Sequence, residues 1–157
     1  MKLRLVCIGR VSEPWLQQGV EEYTSRIRRY LPLEIVEMKE EPGGRKPDPR
    51  LLREGEGERL LAKIPAGAFV VGLEERGNAV ASEALSALLG RHMVEGTSAM
   101  CWILGGPYGL SESVRQRSNL LLSLSPMTFT HQMARLILLE QLYRGLTILR
   151  NEPYHNR

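Results

Sequence analysis

Residues Met100–Leu110 have the sequence MCWILGGPYGL, in which an apolar run leads directly into a turn with three glycines. The run Met100–Leu104 is short and apolar and is followed by turn residues, which predicts a buried strand. Gly105, Gly106 and Gly109 then predict a sharp turn at the carboxyl end of that strand, where open α/β sheets bind their ligands. Backbone amides exposed at such a turn suit a nucleoside, although an isolated glycine-rich turn is often only a turn.

The spacing of these glycines differs from that of two common nucleotide-binding loops. It does not match the G-x-G-x-x-G fingerprint of dinucleotide-binding folds, and no Gly-Lys-Ser/Thr follows the turn. A phosphate-cradling loop is therefore disfavoured. A nucleotide-dependent oxidoreductase is disfavoured too, because no acidic ribose partner follows a first βα turn.

Strand-like and helix-like patterns alternate along the whole chain, which predicts an α/β protein with a mostly parallel sheet and helices on both faces. Short apolar runs predict strands at 3–8, 33–38, 68–73, 100–104 and 120–124. Helical patterns occupy 14–30, 49–63, 82–95, 111–118 and 130–150. The stretch 39–49, rich in proline, glycine and charge, predicts a loop.

Length and composition restrict the class of protein. A chain of 157 residues is long enough for one domain with a substantial core, and its 43% hydrophobic and 25% charged residues are typical of a soluble protein. No apolar run is long enough to span a membrane, and the start does not have the pattern of a signal peptide, so we expect a cytoplasmic protein. The net charge of +3 is compatible with an anionic partner such as RNA.

Cys7 and Cys101 both lie in apolar, strand-like runs. This position predicts buried free thiols rather than a disulfide framework. We expect no metal site, because no second cysteine or histidine lies at ligand spacing from either residue.

Three predicted strands end close to residues that could form one crevice. Leu73 and the turn Glu74–Gly77 follow one strand, Gly105 follows another, and Ser125–Thr128 follows a third. Parallel strands place their carboxyl ends at one edge of the sheet, so these ends predict a shared ligand site with apolar walls. Met127, like Phe129 after it, is equally compatible with ordinary core packing.

The predicted last helix is apolar on most of its circumference and yet contains four polar residues. His131 and Arg135 share one face, and Glu140 and Arg144 share a nearly opposite one, where they could form a purely intrahelical pair. A helix that is apolar on so many sides needs cover from more than one direction. We therefore predict a homodimer.

The tail after this helix, residues 151–157, would normally be interpreted as frayed. It contains Tyr154, His155 and Arg157, whose side chains can stack on a base, accept a proton and bind a phosphate. The residues alone leave a functional tail and a frayed tail both open.

Several motifs together resemble those of the SPOUT-class pseudouridine N3-methyltransferases, which modify bacterial large-subunit ribosomal RNA. The resemblance spans nearly the whole chain and rests on LEERG at 73–77, GGPYGLS at 105–111, LSLSPMTFTH at 122–131, Arg135, LEQLYR at 139–144 and PYH at 153–155. It implies an α/β fold with a C-terminal trefoil knot, S-adenosyl-L-methionine as cofactor, and a homodimer. The implied substrate is a pseudouridine of 23S rRNA, methylated within the assembled ribosome.

The resemblance also implies site residues. The implied cofactor contacts are Leu73, Gly105, Leu124, Ser125, Pro126, Met127, Thr128 and Phe129. The catalytic roles are a hypothesis from side-chain chemistry and tail position: His155 would accept or orient the proton, Tyr154 would place the base, and Arg144 or Arg157 would favour the developing charge or a neighbouring phosphate. We also expect His131, Arg135 and Arg157 to bind the substrate. No metal is implied.

The chain departs from the family pattern at Glu74, Thr130 and Gly145, where aspartate, proline and alanine are common. None of the three removes a chemical group that methyl transfer needs, and Gly145 predicts a weakened helix that allows a bend or close packing. The alternative is a non-catalytic, ribosome-associated RNA-binding factor that keeps the fold without the cofactor.

Overall fold

The computed structural model describes residues 1–156 and contains the predicted alternation of strands and helices. The strands are β1 (Lys2–Ile8), β2 (Leu33–Met38), β3 (Phe69–Ala79), β4 (Ala99–Leu104) and β5 (Leu120–Ser123). The helices are α1 (Pro14–Ile27), α2 (Pro49–Ala62), α3 (Ser82–Val94), α4 (Glu112–Arg117) and α5 (His131–Leu149). Except at the end of β3, the sequence predicted these boundaries to within a few residues.

The strands form one sheet in the order β2-β1-β4-β3-β5, and each pair of neighbours is parallel. At its centre, Leu5 of β1 lies opposite Trp102 of β4. Each residue of β4 is buried, as expected for a strand covered on both faces. The predicted parallel α/β class is therefore confirmed.

The two faces of the sheet have separate cores. On one face α1, α3 and α5 pack through residues such as Ile27, Leu89 and Leu142. On the other face α2 and α4 pack through Leu60 and Val114. The helices thus lie on both sides, and α5 crosses the same face as α1 and α3.

The end of β3 differs from the predicted turn at Glu74–Gly77. The strand continues to Ala79, and both Leu73 and Asn78 pair with Leu122 of β5, so the residues between them form a bulge. At Gly77 a Cβ atom would lie 2.7 Å from the backbone carbonyl of Leu121, a separation that only glycine avoids. Close approach of the two backbones therefore replaces the turn with a bulged strand.

Helix α5 is held by a cap at its start and by close packing against α3 near its end. Thr130 caps its start, because the Thr130 hydroxyl accepts a hydrogen bond from the Met133 amide at 3.2 Å. Near its end, a Cβ on Gly145 would lie 3.0 Å from Cδ1 of Leu89, and the Gly145 carbonyl accepts a hydrogen bond from Ser86 Oγ at 2.7 Å. Of the bend and the close packing that remained open for Gly145, the structure shows the close packing.

Both cysteines are buried free thiols, as predicted. Among residues 1–156, no helix is both long and apolar enough to cross a membrane. The single domain expected from the length and the C-terminal knot implied by the resemblance stay predictions.

Candidate active site

A cleft of about 530 Å³ opens at the carboxyl ends of β3, β4 and β5. It has contributions from the β3 bulge, the glycine turn after β4, the loop after β5 and the first turn of α5. The predicted cofactor residues that line it are Leu73, Gly105, Leu124, Ser125, Met127, Thr128 and Phe129, whereas Pro126 is outside the lining. Strand ends that the sequence grouped are thus brought together in one cleft.

The glycine turn is closed on itself by its own backbone. Gly106 and Gly109 form an isolated antiparallel bridge, in which the Gly109 amide donates to the Gly106 carbonyl at 3.0 Å. Gly109 has a φ of +82°, and a Cβ on Gly105 would lie 2.6 Å from the Gly109 carbonyl oxygen. Only glycine permits this tight fold, which presents backbone rather than side chain to the cleft.

The loop after β5 is exposed and locally ordered by hydrogen bonds. The Met127 amide donates to Ser125 Oγ at 3.0 Å, and Thr128 Oγ1 donates to Oε2 of Glu75 in the β3 bulge at 3.1 Å. Met127 is 74% exposed and Phe129 is 38% exposed. Core packing, the alternative open at these two positions, is therefore wrong, and both side chains are available to a ligand.

Charged residues of the cleft are paired across different elements. Arg115 of α4 donates to Glu74 Oε1 from Nε at 2.8 Å and from Nη2 at 2.5 Å, and hydrogen bonding to Glu74 raises the pKa of Arg115. His131 lines the cleft from α5, and its Nε2 lies 3.6 Å from Glu40 Oε1. The ion pair of Arg115 and Glu74 ties the β3 bulge to α4.

A second group of polar side chains surrounds the far end of α5. Arg144 donates to Glu140 Oε1 at 3.1 Å from Nε and at 2.5 Å from Nη2, and the Tyr154 hydroxyl donates to the same oxygen at 3.0 Å. Because that hydroxyl has a single proton, Tyr23 must be the donor in the 3.2 Å contact between the two phenols. We call Tyr23, Glu83, Glu140, Arg144, Tyr154 and His155 the tail cluster.

Both ring nitrogens of His155 have partners in the tail cluster. Nδ1 lies 3.2 Å from Nη1 of Arg144, and Nε2 lies 3.1 Å from Oε1 of Glu83. A guanidinium group can only donate, so Nδ1 must be the acceptor and Nε2 must carry the proton that Glu83 accepts. The geometry selects a neutral imidazole with one defined tautomer.

The environment of the tail cluster favours the protonated forms of Tyr154 and Arg144. Burial, and then hydrogen bonds with Tyr23 and Glu140, raise the pKa of Tyr154. Hydrogen bonding to Glu140 raises the pKa of Arg144. At neutral pH Tyr154 is therefore a hydrogen-bond donor, and Arg144 is a permanent cation whose charge is mostly offset by Glu140.

Within one chain, the tail cluster lies far from the cleft. His131 and Ala134 line the cleft from the first turn of α5, whereas Arg144 follows His131 by roughly 20 Å along the helix axis. Of the described tail residues, neither Tyr154 nor His155 lines the cleft of its own chain. The structure thus separates the predicted catalytic residues from the predicted cofactor residues.

Arg135 lies at neither place. It is only 1% exposed, donates from Nη1 to Glu37 Oε2 at 2.5 Å and from Nη2 to the Gly9 carbonyl at 2.8 Å, and lines a second cleft under α1. Its predicted role in substrate binding stays a prediction. Arg157, the other arginine predicted to bind substrate, lies outside the described residues.

Sequence reasoning missed several residues around these sites. Glu83 orients His155 from α3, a contact without a sequence signal because its partner is seventy-two positions away. Glu56 of α2 is buried against the glycine turn, and its only signal is a charged residue within an amphipathic helix. Among residues 1–156, no group of three or more side chains of the usual metal-binding types could hold a metal ion.

Comparison with known proteins gives matches over nearly the full chain. A family model described as "Predicted SPOUT methyltransferase" matches residues 1–155. A protein of Syntrophotalea carbinolica named "Ribosomal RNA large subunit methyltransferase H" is 58% identical over 157 residues, which is 100% of each chain. A protein of the same name from Trichlorobacter lovleyi is 48% identical over 99% of this chain and 100% of its own.

A solved structure has a similar fold at low sequence identity. The crystal structure titled "Probable Methyltransferase from Bordetella pertussis Tohama I" has a TM-score of 0.56 and 16% identity, covering 92% of this chain and 94% of that one. At this identity the likeness concerns the fold alone.

Proposed function

Because this chain belongs to the SPOUT methyltransferase family, we propose that it is an S-adenosylmethionine-dependent methyltransferase acting on large-subunit ribosomal RNA. The match to the family model supports the family that the sequence motifs implied, and the parallel sheet agrees with the α/β class. The observation that carries the activity is the cleft, in which the β3 bulge, the glycine turn and the loop after β5 meet. Relatives that match over nearly the full length of both chains and are named as ribosomal RNA methyltransferases support the substrate class.

More specifically, we propose that the methyl group is transferred to N3 of a pseudouridine in 23S rRNA. The enzyme would act as a homodimer on the assembled ribosome in the cytoplasm. This proposal is supported by the motif at 122–131 and by the terminal PYH at 153–155, which carry the resemblance to the pseudouridine N3-methyltransferases. A chain of this size with a net charge of +3 has little surface for recognising RNA by itself. Contacts with the ribosome and a second subunit would supply the rest.

The cleft fits the cofactor in size and in chemistry. A volume of about 530 Å³ lies in the range of pockets for drug-sized ligands. Leu73, Leu104 and Leu124 provide apolar walls for an adenosine, while the backbone of the glycine turn provides hydrogen-bonding groups for its edges. When bound, S-adenosylmethionine supplies a methyl group on a positively charged sulfur.

The residues of this chain would have to deprotonate and orient the base, because an imide nitrogen is a poor nucleophile while it keeps its proton. His155 Nδ1 is the acceptor atom that we propose for that proton, since Nε2 already carries one. Arg144 occupies Nδ1 in the free protein, so it must move aside before the base can use that atom. Glu83 then faces a positively charged imidazole and stabilises it.

Tyr154 and Arg144 would act as positioning groups. The raised pKa of Tyr154 leaves it protonated, which makes it unsuitable as a base, and because its proton is donated to Glu140 its role is to stack on the substrate base. Arg144, once released from Nδ1, could face the oxygen of the base on which charge develops as the proton leaves. Glu140 holds both groups through one carboxylate oxygen.

The separation between tail cluster and cleft supports a site shared by two chains. If His155 acts on a base bound near the cofactor, it must reach the cleft of a partner, because its own cleft lies near the opposite end of α5. A homodimer with two-fold symmetry would form two such sites at once.

Transfer of radiolabelled methyl from S-adenosylmethionine to ribosomes that lack the modification tests this function. We expect label on 23S rRNA of these ribosomes, and none on ribosomes that lack pseudouridine or on free 23S rRNA. Cofactor binding without label on any ribosomal RNA would contradict the substrate, and the absence of cofactor binding would favour the non-catalytic ribosome factor.

The His155→Ala variant tests the proposed base, with Asn156→Ala as its control on the exposed neighbouring residue. Single-turnover transfer should slow by about a hundredfold or more in the first variant, the usual contribution of a general base, and stay unchanged in the second. A full rate for His155→Ala at every pH would exclude His155 as the base.

A further inference from the structure

Glu56 is a buried carboxylate outside the cleft lining. It lies on α2, is 3% exposed, and its Oε2 has no hydrogen-bond partner among residues 1–156. Its neighbour Gly57 abuts Ser111, so this face of α2 is pressed against the segment that follows the glycine turn. A carboxylate is costly at such a position unless something compensates its burial.

The glycine turn provides that compensation. A Cβ on Gly106 would lie 2.9 Å from both carboxylate oxygens of Glu56, so the carboxylate lies directly against the backbone of the turn. Burial raises the pKa of Glu56, and the backbone amide of Gly106, the nearby Arg59 and the backbone amide of Glu41 oppose this in part by stabilising the charged form. The Glu56 carboxylate is thus stabilised by the turn through Gly106, by the loop before α2 through Glu41, and by α2 through Arg59.

The position of Gly106 makes this contact relevant to the cleft. Gly106 lines the cleft, and its carbonyl accepts the hydrogen bond from the Gly109 amide that closes the turn. Glu56 therefore contacts a residue of the cleft wall without lining the cleft itself. The same carboxylate reaches the loop at 39–48 through Glu41, which also pairs with Arg59 at 3.0 Å.

We propose that Glu56 is a positioning residue that fixes the conformation of the glycine turn through Gly106, so that cofactor affinity depends on a carboxylate that does not touch the cofactor. The consequence for affinity rests on the proposed function, whereas the effect on the turn does not. If the role of Glu56 were purely structural, the carboxylate would contribute to folding alone. An apolar side chain of similar volume could then replace it without loss of cofactor affinity.

Glu56→Met tests the proposal, because methionine fills a similar volume and removes the acceptor. We expect the variant to stay folded while its Kd for S-adenosylmethionine rises about tenfold, the scale of a lost hydrogen bond to a charged group. In the methyl transfer assay, KM for the cofactor should rise and kcat at saturating cofactor should stay near the wild-type value. Partial unfolding would instead lower the active fraction and hence kcat.

Two further variants make the comparison sharp. Glu56→Gln keeps an oxygen that can accept from the Gly106 amide and should recover most of the affinity. Glu58→Met is the matched control. Glu58 is exposed, and because it lies two residues after Glu56 on the same helix, its side chain faces away from the glycine turn. The proposal is overturned if Glu56→Met binds the cofactor as wild type does, if Glu58→Met weakens binding equally, or if glutamine does no better than methionine.

A measurement without cofactor separates this inference from the proposed function. Hydrogen exchange of the Gly109 amide should be about tenfold faster in Glu56→Met than in Glu58→Met, because the turn that protects it is loosened. If the wild-type protein does not bind S-adenosylmethionine, the proposed function fails, and the exchange result still decides the role of Glu56. Equal exchange in the two variants would overturn that role.

Discussion

Gly105 has no room for a side chain, because the carbonyl of Gly109 occupies the place of a Cβ. In the Gly105→Ala variant the turn must open, which should weaken S-adenosylmethionine binding by more than about tenfold and destabilise the fold by about 1–3 kcal/mol. Calorimetric titration and urea unfolding measure the two effects.

Gly67→Ala provides the control for a general cost of replacing glycine. Gly67 has a φ of +70° with open space around it, so alanine there should cost about 1 kcal/mol and leave cofactor binding unchanged. Equal loss of binding in both variants would show that stability, and not the shape of the turn, controls affinity.

Cys7 and Cys101 should be unreactive in the folded protein. Burial raises the pKa of each thiol from 9.0 to about 11, and only the thiolate is alkylated. We expect no labelling by iodoacetamide at pH 8 in buffer and two labels per chain in urea, counted by mass spectrometry. Labelling of the native protein at the rate of the unfolded one would contradict the burial of the thiols.

The raised pKa values of Cys7 and Cys101 also predict that the folded protein loses stability at alkaline pH. Because the folded pKa is above the unfolded one, the contribution of each thiol to stability is complete below pH 9 and is lost as pH rises through about 11.

At the scale of elements, the start of α5 determines where His131 enters the cleft. Replacing Thr130 by alanine removes the side-chain acceptor for the Met133 amide and should lower the free energy of unfolding by about 1 kcal/mol in urea. Thr130→Ser keeps the hydroxyl and should restore most of that stability. If alanine and serine unfold at the same urea concentration, the cap does not stabilise the helix.

The sequence predicted the elements well because their signals are local. Apolar runs such as Met100–Leu104 and the long apolar pattern of α5 determine their own secondary structure. The convergence of Leu73, Gly105 and Leu124 on one cleft followed from a general property of parallel sheets.

Long-range contacts could not be predicted in this way. Residues 74–77 are polar and contain glycine, so they indicate a turn, and only the backbone of β5, far along the chain, makes them a bulge. The burial of Glu56 against Gly106 and the contact of Glu83 with His155 likewise depend on the packing of helices onto the sheet. No periodicity in the sequence encodes such pairings.

At the scale of the whole molecule, α5 connects two chemically different ends. Its first turn contributes His131 to the cleft, and its last turns carry Arg144 against the tail. A single chain therefore holds the proposed base and the proposed cofactor cleft apart. Two-fold association would bring each tail to the other chain's cleft, as the proposed homodimer requires.

Complementation between two impaired variants, assayed at a cofactor concentration well below the Kd of Gly105→Ala, tests this arrangement. Chains with Gly105→Ala have an intact tail and a defective cleft. Chains with His155→Ala have an intact cleft and a defective tail. After unfolding and refolding in equal amounts, half of the dimers should be mixed and one of the two sites in each should be intact, so about a quarter of the wild-type methyl transfer should return. Separately refolded variants that are combined just before the assay are the control. If mass spectrometry shows mixed dimers and activity stays absent, each tail serves its own cleft or none, because a shared site would necessarily have been rebuilt.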